Sequence, residues 1–331
     1  MKVTKLIVFA AALAVLGPAP GARAESAAAY PSANVELVIP FTAGGTTDVI
    51  GRLVAQYVSQ KWGHAVVVTN KPGATGAIAS ELVARAKPDG YTLLIATAST
   101  HAVLPAYRSN LPYDTVTSFA PATLLATFPN MLVVTPKLPV KTVADLIALL
   151  KKEPGKLTFS SSGVGGTVHF AGELFKLMTG TNMLHVPYKG SSAALNDLVA
   201  GNVDLTIDNM STVWPLVQQG QLRALGVAGP HRVAAAPNVP TIAETVPGFD
   251  VTSWVGVVAP AGTPPDIVAK ISKTFGEAVN DPVIKKKLEA LGASSASDTP
   301  AEFASFIRAD RAKWKKVAKE AHISGHPAAP K

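Results

Sequence analysis

The chain has no cysteine among its 331 residues, which excludes disulfides, thiolate metal sites and cysteine nucleophiles together. Charged residues make up only 16% and aromatic residues 6%, too few for long solvated tails or for the stacked aromatics of a single-strand nucleic-acid channel. There is no H-E-x-x-H, no Walker A sequence, no G-x-G-x-x-G after a strand and no G-x-S-x-G elbow, so the usual zinc, nucleotide and serine-hydrolase signatures are missing. His64, His101, His185, His231, His322 and His326 show no ligand spacing. Neither a metal nor a cofactor is expected. The formal charge of +8 is mild and its lysines are dispersed. The densest groups, Lys285, Lys286 and Lys287 and then Lys313, Lys315, Lys316 and Lys319, read as solvated helix faces, so nucleic acid is not an expected partner.

Long hydrophobic runs are missing too. The most apolar stretch, 6–16, is well short of the ~20 residues a membrane span needs. Lys2 and Lys5 precede it and Ala22-Arg23-Ala24 follows, the pattern of a secretory leader over 1–24 cleaved after Ala24. The expected location is the periplasm, where a cysteine-free protein must be held by packing alone.

What the chain does have is apolar content, 48%, and length enough for two lobes with a core each. It also has two glycine loops that join a strand-like run to a helix start and correspond when Gly44 is set on Gly165. The first reads Phe41-Thr42-Ala43-Gly44-Gly45-Thr46-Thr47-Asp48, and the second Ser161-Ser162-Gly163-Val164-Gly165-Gly166-Thr167-Val168-His169. Glycine allows a positive φ and close backbone approach, here expected at Gly45 and Gly166, and the following helix offers unpaired N–H groups to an anion.

Around these loops, strands alternate with helices. Strand character is read at 35–40, 65–69, 91–96, 131–135, 184–188, 203–207, 222–228 and 251–258, with a break over 119–130. Helices are read behind the first loop and at 77–86, 142–150, 170–178 and 193–200, the last capped by Ser191 or Ser192. Two more start at Thr263-Pro264-Pro265-Asp266 and Thr299-Pro300-Ala301-Glu302. This order implies mainly parallel sheets covered on both faces.

Ser161, His169 and Asp208 could be drawn as a hydrolase triad, but no nucleophile elbow frames them and His169 reads better as a structural or polar contact. Asp48 is either an acid in a helix first turn or a ligand contact. Asp208, at a strand end, could bind a ligand ammonium, hydroxyl or bridging water, or cap the next helix through Asn209 and Ser211.

The segments 39–48, 70–74, 88–94, 161–163, Gly166 and Thr167 with His169, 171–175, 185–190 and 259–264 resemble, in order, the Bug (TctC-like) solute receptors. These are the extracytoplasmic binding proteins of tripartite tricarboxylate transporters. The resemblance implies a two-lobed, type II-like periplasmic binding fold with two crossovers. Lobe 1 would begin over 30–128, lobe 2 would be 129–249, and 250–331 would return to lobe 1. It also implies capture of a small organic acid by a monomer and delivery to a membrane permease, without catalysis. The ligand residues it implies are Phe41, Gly44, Gly45, Thr46, Thr47 and Asp48, then Thr97 and Ser99, then Ser161, Ser162, Gly166 and Thr167, and Asp208. A sensor docking on a membrane kinase, or a periplasmic hydrolase, are the alternative functions.

Overall fold

The computed structural model describes residues 26–321 and residue 323; the expected leader and its cleavage site lie outside the described residues. The first unit runs β1 (Val35–Ile39), α1 (Thr46–Trp62), β2 (Val66–Asn70), α2 (Ala77–Ala84), β3 (Thr92–Thr97) and the short α3 (Leu104–Tyr107). β4 (Phe119–Val134) then leads to α4 (Val143–Lys152), β5 (Thr158–Ser161), α5 (Thr167–Thr179), β6 (Leu184–Pro187), α6 (Ser191–Ala200), β7 (Leu205–Asn209), α7 (Met210–Gln218) and β8 (Arg223–Val227). The return comprises β9 (Thr252–Pro260), α8 (Pro265–Asn280), α9 (Pro282–Ala290), β10 (Ser294–Ser295) and α10 (Pro300–Glu320).

The strands order as β2-β1-β3-β9-β4-β7-β5-β6, with β8 and β10 also on β4. Parallel pairing holds at both ends, where β1 joins β2 and β3 and where β5 joins β6 and β7. The centre is antiparallel: β9 runs against β3 and β4, and β4 against β7 and β8. The molecule therefore has two α/β halves joined through a shared central strand.

That strand corrects the sequence reading. The expected break over 119–130 is most of β4, which pairs with β9 from Phe119 to Pro129. Pro121 and Pro129 read as breakers, yet the register shifts beside Pro121 and Pro129 closes the ladder with Thr252; prolines sit in strands at such irregular or terminal positions. From Asn130 onward the strand pairs instead with β7 and β8. Asn130 marks the crossing. It is fully buried. Its N–H donates to Val251 O and its carbonyl accepts from Ala228 N, its Nδ2 donates to Ile207 O and its Oδ1 accepts from Ser253 Oγ.

Helices cover both faces of each half. In the first, Leu37, Ile39, Leu93 and Ile95 pack with Ile50, Val54 and Val58 of α1 and Ile271 and Phe275 of α8, while Val38, Leu94 and Ala96 face Trp254, Phe303 and Trp314. In the second, Leu132, Phe159, Leu205 and Ile207 meet Leu146 and Leu150 of α4 and Phe170 of α5, and Met131 and Val133 meet Leu195, Leu198 and Val213 of α6 and α7. Strands buried on both faces account for their nearly continuous apolar runs.

Helix starts differ in how they are capped, and α2, α3 and α8 have no side-chain cap. Thr142, Asp281 and Thr299 cap α4, α9 and α10 through their side chains, the two threonines in full capping boxes. By contrast α1, α5, α6 and α7, each rising from the C-terminal end of β1, β5, β6 or β7, have no side-chain cap. Their N-cap residues are Gly45, Gly166, Gly190 and Asn209. The caps expected from Ser191 or Ser192 and from Thr263 are not made: Ser191 is the first helical residue of α6, and Thr263 donates to Pro260 O instead.

Candidate functional site

The two glycine loops are built alike. Gly44 has φ +83° and Gly165 φ +80°, and each precedes an N-cap glycine in extended conformation, Gly45 at φ −79° and Gly166 at φ −87°. The positive φ expected at Gly45 and Gly166 thus belongs one residue earlier, where an L side chain would be strained. At Gly165 there is also no room, since a Cβ would overlap the Tyr107 hydroxyl. In both loops the third residue of the helix reaches back to this left-handed glycine. Gly44 N donates to Asp48 Oδ2 at 2.9 Å, and Gly165 N donates to His169 Nδ1 at 3.2 Å.

Those bonds define what Asp48 and His169 do. The Asp48 carboxylate also accepts from Arg52 Nε and from Asn70 Nδ2, which donates as well to Phe41 O. Burial alone would raise its pKa, but the bonds from Arg52, Gly44 and Asn70 outweigh that and hold it below the usual carboxylate value. Its oxygens are committed to the loop. His169 is pushed down to about 3 by burial and by its neighbours His185 and Lys176, so it is neutral and can accept from Gly165.

A triad of Ser161, His169 and Asp208 is not assembled. Ser161 Oγ meets His185 Nε2 at 2.6 Å, a partner the sequence reading missed, and His185 stacks on His169 with ring centroids 4.0 Å apart. His185 is held down to about 4 by burial, then by the Lys176 charge. Asp208 instead accepts from its neighbour Asn209 N at 2.6 Å.

Several of the expected residues are brought together where the halves meet. Thr46 Oγ1 and Ser211 Oγ lie 2.5 Å apart. Ser99 Oγ accepts from Thr167 N at 3.2 Å and lies 3.3 Å from its hydroxyl, and Thr75 Oγ1 donates to Val164 O at 2.9 Å. A Cβ at Gly166 would sit 3.6 Å from both Ser99 Oγ and Thr75 Cγ2, and one at Gly190 would sit 3.9 Å from Thr42 Oγ1. Both loops, the turn after β3 and the starts of α5, α6 and α7 therefore share one seam. Thr97 stands behind it, its hydroxyl 3.2 Å from that of Thr100 and accepting from Thr100 N. Thr47 and Ser162 are partly exposed beside the two loops.

Thr75 and Tyr107 carried no sequence signal, His185 stood out only within the family-like segment 185–190, and Ser211 only as a possible cap partner of Asp208. Thr75 has φ +56° beside Ala74 at φ +48°, a strained pair on the face of the seam. Ser211 lies in α7, a short helix with Pro215 inside it that the periodicity did not reveal.

Comparison with known proteins agrees with this geometry. Residues 50–323 match the family model of the tripartite tricarboxylate transporter family receptor, TctC. The chain is 34% identical over 326 residues to protein BugT of Bordetella pertussis, covering 97% of this chain and 98% of that one. Among solved structures, Rpa4515 of R. palustris with adipate superposes with a TM-score of 0.86 at 41% identity, covering 89% of this chain and 99% of that one. MatC (Rpa3494) from Rhodopseudomonas palustris with bound malate gives 0.82 at 30% identity, covering 87% and 99%. The two-lobed fold, the paired loops and these likenesses agree: the chain belongs to the TctC family of tripartite tricarboxylate transporter receptors.

Proposed function

We propose that this receptor captures a small organic acid, foremost a dicarboxylate, in the seam between its two lobes and delivers it to membrane permease subunits with no bond made or broken. The observation that carries the reading is that four helices without side-chain caps start around the seam, α1 and α5 behind matched glycine loops. Helix N-termini with free N–H groups favour anions, and neither loop holds an arginine, so amides and hydroxyls supply the donors. The relatives bound to adipate and malate make dicarboxylates the first class to test.

In this reading Gly45, Thr46 and Thr47 hold one carboxylate from lobe 1, with Gly44 setting the turn, and Ser162, Gly166 and Thr167 hold the other from lobe 2, with Ser99 between them. Phe41, Asp48, Thr97 and Ser161 shape the loops from behind, and Asp208 closes the lobe 2 side. Lobe 1 comprises 30–128 with the return from 250, and lobe 2 comprises 129–249, the two hinging at Asn130. The protein works as a periplasmic monomer, and closure of the lobes is what the permease reads.

A thermal-shift screen against mono-, di- and tricarboxylates and aromatic acids tests this. A ligand at 100 times its dissociation constant adds about 2.7 kcal/mol of stability, so at least one dicarboxylate should raise the melting temperature by several degrees. A flat response across the acids would contradict the reading.

A further inference from the structure

Asp208 is 1% exposed, and the two oxygens of its carboxyl are unequal. Oδ1 accepts from Asn209 N, the N-cap amide of α7, whereas Oδ2 is buried and makes no hydrogen bond of ordinary geometry, the nearby Ser191 hydroxyl giving the carboxyl only a weak pull. Beside it the Oδ1 of Asn209 also lacks a donor. These unpartnered groups stand at the C-terminal end of β7, where α7 starts, within reach of Ser191 at the start of α6. Among the described residues no charged side chain offsets the carboxyl. Of the elements packed on β7, the strands β4 and β5 and the helix α7 carry no titratable group. On α5, His169 accepts from Gly165 and Glu173 pairs with Lys176; on α6, Asp197 accepts from Tyr188 and Asn202. Burial raises the Asp208 pKa, with only the Asn209 N–H and the Ser191 hydroxyl pulling the other way. Lys189, on the exposed approach to α6, does not contribute.

An ionised carboxylate in this place would face the incoming anion with no cation between them, a burial that costs several kcal/mol. Resting on the carboxylate-capture reading above, we propose that Asp208 enters the closed site as a neutral carboxylic acid and donates its O–H to a ligand carboxylate oxygen, so that binding a dicarboxylate takes up one proton from solvent. When the lobes are parted, water solvates Asp208 and it is ionised; closure strips that water and the ligand's charge makes the proton favourable. Asp208 then supplies lobe 2 with a hydrogen-bond donor that an ionised aspartate lacks, and capture becomes tighter as pH falls.

Titration calorimetry with adipate at pH 7, in two buffers of different protonation heat, counts the proton directly. The wild-type protein should take up close to one proton per adipate, and its affinity should strengthen toward tenfold for each unit the pH is lowered from 8 to 6. Asp208→Asn, whose amide N–H can replace the acid O–H, should still bind adipate but with no proton uptake and a flat pH profile. Wild-type binding without proton uptake, or equal uptake in Asp208→Asn, would overturn the inference while leaving carboxylate capture intact. Should Asp208→Asn not fold, Asp208→Ser carries the same comparison: it should bind adipate with no proton uptake, and an uptake equal to the wild type's would overturn the inference. If adipate, malate and every other acid of the screen fail to bind, the capture reading and this inference fall together.

Discussion

At the scale of single residues, the two loops share one device: a left-handed glycine whose N–H is held by the third residue of the following helix. Asp48 does this in lobe 1 and His169 in lobe 2. The glycines were visible in the sequence because glycine is the default residue for that backbone. Their partners were not assigned, because Asp48 carries the ordinary marks of a first-turn acid and His169 could be a core residue. Asp48 is the more informative to change, since Gly44, Arg52 and Asn70 all depend on it. Asp48→Ala should cost about 1 to 3 kcal/mol by leaving those donors unmatched, discounted for the half-exposed Arg52. It should also weaken dicarboxylate binding, because the first loop loses its anchor. Urea unfolding and a binding titration on the same variant check both; full stability with full affinity would mean that Asp48 does not hold the loop.

Among the elements, legibility followed the range of the interactions. The caps at Thr142 and Thr299 were readable because a capping box closes within four residues. β4 was not, since Pro121, Pro129 and Asn130 look like breakers until β9 supplies a partner far along the chain. α7 was anticipated only as a helix following Asp208, without bounds, because it is nine residues long with Pro215 inside. The contrast between α4 and α10, capped by side chains away from the seam, and α5, uncapped at it, gives an element-scale prediction. Thr142→Ala and Thr299→Ala should each lower stability by about 1 kcal/mol and leave ligand affinity unchanged. Gly166→Val puts bulk 3.6 Å from Ser99 and Thr75, at an ordinary φ, so it should abolish binding at smaller cost to folding. Melting curves beside titrations separate the two classes; equal losses of affinity in all three variants would deny the seam its special role.

For the whole molecule, stability should respond to acid through three buried imidazoles. His101, His169 and His185 are held down to about 3, about 3 and about 4, the first by burial alone. Below the unfolded value of about 6.5 the unfolded chain binds protons that the native state refuses, so stability falls with pH. Each group can contribute a slope of up to about 1.4 kcal/mol per pH unit. Asp208, Asp298 and Asp310 are raised by burial and act in the opposite sense, so the histidine contribution is read as the loss that sets in below about pH 6.5, from there to about pH 5. Calorimetric melting over that interval, with histidine ring resonances that do not titrate in the native protein, would bear this out; a constant melting temperature would not.

The alternation of strands and helices made an α/β fold legible, and chain length with the family resemblance implied two lobes, but the way β4 ties the lobes together was not readable, because its pairing is entirely long-range. What the seam binds is the larger question. A titration of adipate against its uncharged diamide, which matches it in length and shape, tests the carboxylate clamp most directly. Adipate should bind with one site per chain and the diamide at least a hundredfold more weakly, because the uncapped helix ends reward negative charge. Equal binding of the two, or of neither while other neutral solutes bind, would contradict it.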